Sequence, residues 1–255
     1  MLVCLLAVAA AVGVVITAAL IFRTFGQGAD DRDPRGATAA HAGAMLSALF
    51  LVAFAITIVV PWASADSARQ NTYAESQAIE EAYWSASMLP PPAGREVQAG
   101  LRGYVGVLLG SEWRLMAKGR LGQEGASRLD ALRTKVMNMP VTDDAARDTR
   151  EAVLAHLRDV SAARGQRAMD AKEMPPMGLL YLTVLAGVVV AIFPFLAGAR
   201  PRGATIVPLT VMAALLGVGI YLAFDVSHVF AGGLRVKPDA FTIALQEFQR
   251  IPEAG

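Results

Sequence analysis

Four uncharged apolar runs constrain this chain more than any other feature. They cover residues 1–22, 42–62, 177–198 and 204–224, and none carries Lys, Arg, Asp, Glu or His in its interior. Each is long enough to cross the roughly 30 Å hydrocarbon core of a bilayer as a helix. The 255-residue chain is 55% hydrophobic, more apolar than a soluble domain of its length. The first run lacks a basic n-region and is too long for an h-region, so it is read as a span rather than a cleaved signal peptide. The predicted class is an all-α membrane protein with four transmembrane helices.

The formal net charge of +1 gives no global field for nucleic acid. Cys4 is the only cysteine, which excludes an intrachain disulfide, a cysteine-based zinc site and a CxxC redox pair. Abundant Ala, Gly and Arg suit a GC-rich bacterial genome, and hence a bacterial plasma membrane. The short loops carry Arg23, Arg32, Arg35, Arg200 and Arg202, which the positive-inside rule places in the cytoplasm. The opposite flanks hold Arg69, Arg164, Arg167, Lys172, Arg235 and Lys237 at lower density. The polar insert is then extracytoplasmic. The loop 30-DDRDPRG-36 reads as a solvated linker in preference to a metal site.

The chain divides into a first transmembrane pair (1–63), a helical extramembrane insert between the second and third spans (64–175), a second pair (176–225) and an amphipathic tail (226–255). In the insert, Ile79, Ala82, Tyr83 and Ala86 recur at helical spacing, and Pro90-Pro91-Pro92 must end that helix. Val97, Leu101, Tyr104 and Leu108 mark a second helix, and Leu129, Leu132 and Val136 a third. A fourth follows Pro140 with Thr142 as its N-cap and a stripe of Val153, Leu154, Leu157 and Val160. The first and last of these helices are predicted to extend the second and third spans out of the bilayer. The tail carries Phe241, Leu245 and Phe248 on one face, to lie at the interface or against the insert.

Several strings carry a resemblance: Trp62, 74-AESQAIEEAYWSASMLP-90, 104-YVGVLLGSEWRLMAKGR-120 and 224-FDVSHVFAGGLRVKPDAFTIAL-245. Together they resemble the bacterial bestrophin-like integral membrane family, a domain of unknown function, from the second span to the tail. The resemblance implies two helices, a helical insert, two more helices and a short amphipathic tail. It departs where Ser227 replaces an expected proline. The family name implies kinship with pentameric anion channels, and the resemblance bears more on architecture than on function.

No hydrolase, zincin, phosphate-loop or dinucleotide motif is present. The predicted topology separates His41 from His156 and His228, so no shared metal set and no cofactor is expected. Asp225 and His228 can meet on one helical face. They read as a span exit fastened beside the Gly232-Gly233 reversal, or alternatively as a pore mouth. Ser47, Phe50, Phe54 and Thr57 form one face of the second span. They read either as the lining of a pore shared by a homo-oligomer or as ordinary helix and lipid contacts. Glu75, Tyr83, Glu112 and Trp113 read either as a surface for a protein partner or as bundle core. The expected function is a non-enzymatic multi-pass protein, either a homo-oligomeric ion channel in the lipid bilayer or a membrane-anchored interaction protein that does not conduct.

Overall fold

The computed structural model describes residues 2–25, 37–140, 143–173, 177–196, 206–226, 228–233 and 235–253. Those residues form helices and turns, without a strand. The elements are α1 (Leu2–Phe25), α2 (Ala37–Ser87), α3 (Ala93–Val107), a π-helical turn (Leu108–Glu112), α4 (Trp113–Met116), α5 (Gln123–Met137), α6 (Asp144–Asp170), α7 (Met177–Leu196), α8 (Ile206–Val226) and α9 (Asp239–Glu247). The loop 30–36 and the arginines of the short loops lie outside the described residues or side chains.

The chain divides into two compact units, one of Met1–Trp62 and Met174–Ser227, the other of Ala63–Glu173 and His228–Gly255. Helix α2 contributes to both. It runs 51 residues through Pro61, roughly 75 Å at 1.5 Å per residue.

The first unit contains α1, the first half of α2, α7 and α8. Helices within Gly43–Ser87, Met177–Leu196 and Ile206–Val226 are long and apolar enough to cross a membrane, while α1 shows a shorter apolar stretch at Leu5–Ala18. Its outer surface exposes Leu49, Val52 and Ile56 on α2, Tyr181 and Leu185 on α7, and Val211 and Leu215 on α8. Water does not stabilise so extensive an apolar surface, and lipid does. This chain is a membrane protein. Inside the unit, Val15 and Ala18 of α1 meet Ala191, Phe195 and Ala213.

Glycines let large rings enter these helix contacts. Phe50 and Phe54 stack with centroids 5.5 Å apart. A Cβ at Gly187 would lie 3.3 Å from Phe50, and one at Gly219 would lie 2.8 Å from Phe54. Thr57 and Thr183 hydroxyls are 2.7 Å apart, and each also bonds a carbonyl of its own helix, at Ala53 and Leu179.

The second unit is a helical bundle. Its core takes Ile79, Tyr83 and Ala86 from α2, Val97, Leu101 and Tyr104 from α3, Leu129, Leu132 and Val136 from α5, and Val153, Leu157 and Val160 from α6. The tail belongs to this core, because Phe241, Ala244, Phe248 and Ile251 are buried in it. Phe248 stacks on Tyr83 with centroids 4.0 Å apart. Burial of each such ring contributes about 1.5–3 kcal/mol.

Two expectations are corrected. Helix α6 does not continue into the third span: it ends at Asp170, and Lys172 and Glu173 turn back onto the Met169 carbonyl. Its N-cap is Asp143, whose carboxylate accepts from the Ala146 amide at 2.7 Å; Thr142 lies outside the described residues.

Overpacking the Gly219 contact tests the first unit. Gly219→Ala is expected to cost about 1–3 kcal/mol, read as a lower melting temperature in detergent, and Phe54→Leu in the same chain is expected to restore most of it. No loss in the single variant would contradict the contact.

Candidate functional site

The most concentrated chemistry lies inside the second unit. On α2, Ala68, Thr72, Glu75, Ile79, Ala82 and Ala86 are all buried at three- and four-residue spacing, so Glu75 stands at a core position. On α6 the stripe Val153, Leu157, Val160 continues through Arg164 to Arg167, and Arg167 has no exposure. Glu112 is delivered by the π-helical turn, closed by the Trp113 amide on the Leu108 carbonyl. That turn accommodates one additional residue. Glu112 is thereby buried while Trp113 packs edge-on against Phe230 and Phe241.

These side chains meet in one network. The Arg167 guanidinium forks onto Glu75, with Nε donating to Oε2 at 2.5 Å and Nη2 to Oε1 at 3.1 Å. Nη2 also donates to Glu112 Oε1 at 2.9 Å, and Nη1 faces the Met116 sulfur. Tyr104 donates its hydroxyl to Glu75 Oε1 at 2.7 Å. Arg164 Nη2 donates to Glu112 Oε2 at 3.0 Å and to the Gly122 carbonyl at 2.6 Å. The Phe241 ring of α9 lies 5.6 Å from the Arg167 guanidinium carbon. Gly125 leaves room for this arrangement, since a Cβ there would come 2.5 Å from Glu112 Oε2. One turn on, buried Asp170 accepts from Asn71 and Gln166.

Burial works against the charged form of Arg167, but the Glu75 carboxylate and its hydrogen bonds outweigh that, and the guanidinium pKa stands above its ordinary value. Burial, reinforced by the Glu75 charge, pushes the Tyr104 phenol well above its usual 10.0. Tyr104 therefore stays protonated and donates. Glu75, Tyr104, Glu112 and Arg167 have no solvent exposure. A sealed cluster of this kind joins α2, α3, the π-helical turn, α6 and α9; it offers no surface on which to bind a substrate.

Of the two readings of Glu75, Tyr83, Glu112 and Trp113, the placement fits bundle core better than a partner surface: the first three are fully buried and Trp113 is partly buried. The structure brings Glu75, Tyr104 and Glu112 together around Arg167, a residue that the sequence reading treated as a flanking charge. The signal was present in the continuation of the α6 stripe.

Of the pore-lining candidates, Phe50, Phe54 and Thr57 contact α7 and α8 of their own chain, and Phe54 stays partly exposed. Ser47 is exposed and borders a pocket with Gly43, Leu46 and Phe193. Asp225 lies in the last turn of α8 in the first unit, and His228 opens the returning segment of the second. The reversal beyond it is closed by the Val236 amide on the Val229 carbonyl at 2.9 Å, with the Ala231 amide on the His228 carbonyl. Gly232 adopts φ +85° there, a conformation that side chains resist; Gly233 beside it is exposed.

The raised Tyr104 pKa has a defined sign. The folded state holds the phenol's proton more tightly than the unfolded chain, so this contribution is complete below about pH 10 and is lost as pH rises towards the folded value. Denaturant unfolding across alkaline pH is expected to show stability falling above about pH 10. Tyr104→Phe should cost about 1–3 kcal/mol at neutral pH and flatten part of that alkaline fall. An unchanged alkaline profile in the variant would contradict the assignment.

Comparison with known proteins supplies the remaining context. No curated protein and no solved structure matches the chain. A family model described as the Bestrophin-like domain matches residues 8–241, reaching back into α1 and forward into α9. This chain belongs to the Bestrophin-like family.

Proposed function

We propose that this chain is a non-enzymatic, four-span protein of the bacterial plasma membrane that assembles with copies of itself and conducts ions. Family membership supports the reading. The observation that carries it is the extensive apolar outer surface of the first unit, together with apolar runs that carry no ionisable side chain in their interiors. Pumps and proton-coupled transporters place such groups there, whereas a pore needs only a hydrated, weakly polar passage. α1 is the proposed fourth span. Phe50, Phe54 and Thr57 are engaged within the chain, and the shared passage is proposed to include Ser47, an exposed hydroxyl of the same α2 face. A second reading, a membrane-anchored interaction protein, is favoured by exposed Tyr73, Trp84 and Met88 on the second unit.

Two measurements decide between them. The detergent-solubilised particle, after subtraction of detergent, is expected to weigh a whole multiple greater than one of 26.9 kDa; a strict monomer contradicts a shared pore. Purified protein in planar bilayers is expected to give discrete current steps. An oligomer that passes neither anions nor cations would overturn conduction and favour the second reading.

A further inference from the structure

A separate apolar cluster in the second unit gathers Ala68, Met116, Val229, Phe230 and Val236, with Trp113, Leu121 and Ala171 packed against it. Ala68, Ala171 and Val229 of this cluster lie close in sequence to the points where the chain leaves this unit for the spans, at Ala63, Glu173 and His228, and Trp113, Met116 and Leu121 join them from α4 and the turn after it. Each of those segments also sends exposed basic side chains outward. Arg69 follows Ala68 on α2. Arg114 lies on α4, and Lys118 and Arg120 lie in the turn after it. Lys172 follows Ala171, and Arg235 and Lys237 flank Val236. Gly119, at φ +67°, brings its turn against the Ala171 carbonyl, where a Cβ would stand 3.2 Å away. Lys118, Arg120 and Lys172 therefore share one end of the bundle.

Among the described residues none of these basic groups forms an ion pair. Elsewhere on the unit Arg102, Arg128, Lys135, Arg147 and Arg250 are each bridged to a carboxylate, while exposed Arg95 and Arg158 are not. The exposed carboxylates on the same segments are Asp66, Glu173 and Asp239. Asp66 and Glu173 accept from the neutral Gln70 and Ser64 and keep their charge. Seven basic side chains against three exposed carboxylates leave these segments with an excess of positive charge.

Chain connectivity keeps Arg69 and Lys172 close in sequence to the spans. α2 is continuous, so Arg69 stands roughly 10 Å along the helix from Trp62 at 1.5 Å per residue. Lys172 lies just before Met174, where the first unit resumes. We infer that this basic patch binds the phosphodiester headgroups of anionic phospholipids at the surface of the bilayer that the spans cross. Arginine forks match phosphate geometry. Juxtamembrane lysines and arginines are drawn to an anionic leaflet within a Debye length of it. The inference rests on the spans lying in a bilayer and not on conduction or copy number.

The test uses the full chain in nanodiscs of phosphatidylcholine, with and without phosphatidylglycerol, and counts by native mass spectrometry the lipids retained after release. The wild type is expected to retain phosphatidylglycerol preferentially, and added salt should weaken the preference. Neutralising one charge, as in Lys118→Gln, should lower it roughly fivefold; the triple variant Arg114→Gln/Lys118→Gln/Arg120→Gln should bring it near parity. Arg128→Gln, at an ion pair elsewhere on the unit, should leave it unchanged. Equal retention of both lipids by the wild type, or undiminished preference in the triple variant, would overturn the inference. So would displacement of the lipid by inorganic phosphate, which would mark a site for free anions. Incorporation of the chain into both kinds of nanodisc keeps the spanning helices separate from the outcome, and the salt dependence of the wild type decides the matter if the triple variant does not fold.

Discussion

One desolvated guanidinium organises the second unit. Arg167 has no exposure, and an ion taken out of water costs several kcal/mol unless its surroundings restore what hydration supplied. Here the fork onto Glu75 and the shared bond to Glu112 restore it. Those partners come from α2 and from the π-helical turn, so satisfying Arg167 fixes where three segments stand relative to one another. Tyr104 completes the hydrogen bonding of Glu75, and Arg164 that of Glu112. An apolar core of similar volume would stabilise about as well; what the cluster adds is register. Phe241 against the guanidinium face extends that register to the tail.

The first unit solves a different problem. In lipid there is little gain from hiding apolar surface, so helices associate through close packing and a few hydrogen bonds. Glycines opposite Phe50 and Phe54 supply the packing, and the Thr57–Thr183 pair supplies a bond between helices. The same residues that suggest a gate on a helical wheel are therefore engaged within the chain. Helix α2 connects the two regimes, carrying phenylalanine knobs in one unit and Glu75 in the other.

Much of this was legible in the residues. Length and apolarity mark the spans, and the stripes of α3, α5 and α6 mark the bundle, because periodic burial needs no knowledge of the partner. Pro90 stops α2 for a local reason. The charged core was harder. Glu75 falls between Thr72 and Ile79 on a buried face, and Arg167 extends the stripe of Val153, Leu157 and Val160, yet charge normally marks the solvated side of a helix. Their burial follows only when opposite charges from distant segments coincide, and spacing within one helix does not reveal that. The π-helical turn has no composition signal. The tail's apolar face fits lipid and protein equally; the Tyr83 stack on Phe248 decides it.

The claim that Arg167 and Glu75 act as one unit is tested most directly by a double-mutant cycle on the detergent-solubilised protein, followed by denaturant unfolding. Arg167→Met and Glu75→Met each leave a buried charge short of a partner and are expected to cost about 3–5 kcal/mol. The double variant should lose less than the sum of the two, by a coupling of about 1–3 kcal/mol. Additive losses would show that the two side chains contribute independently and would contradict the account.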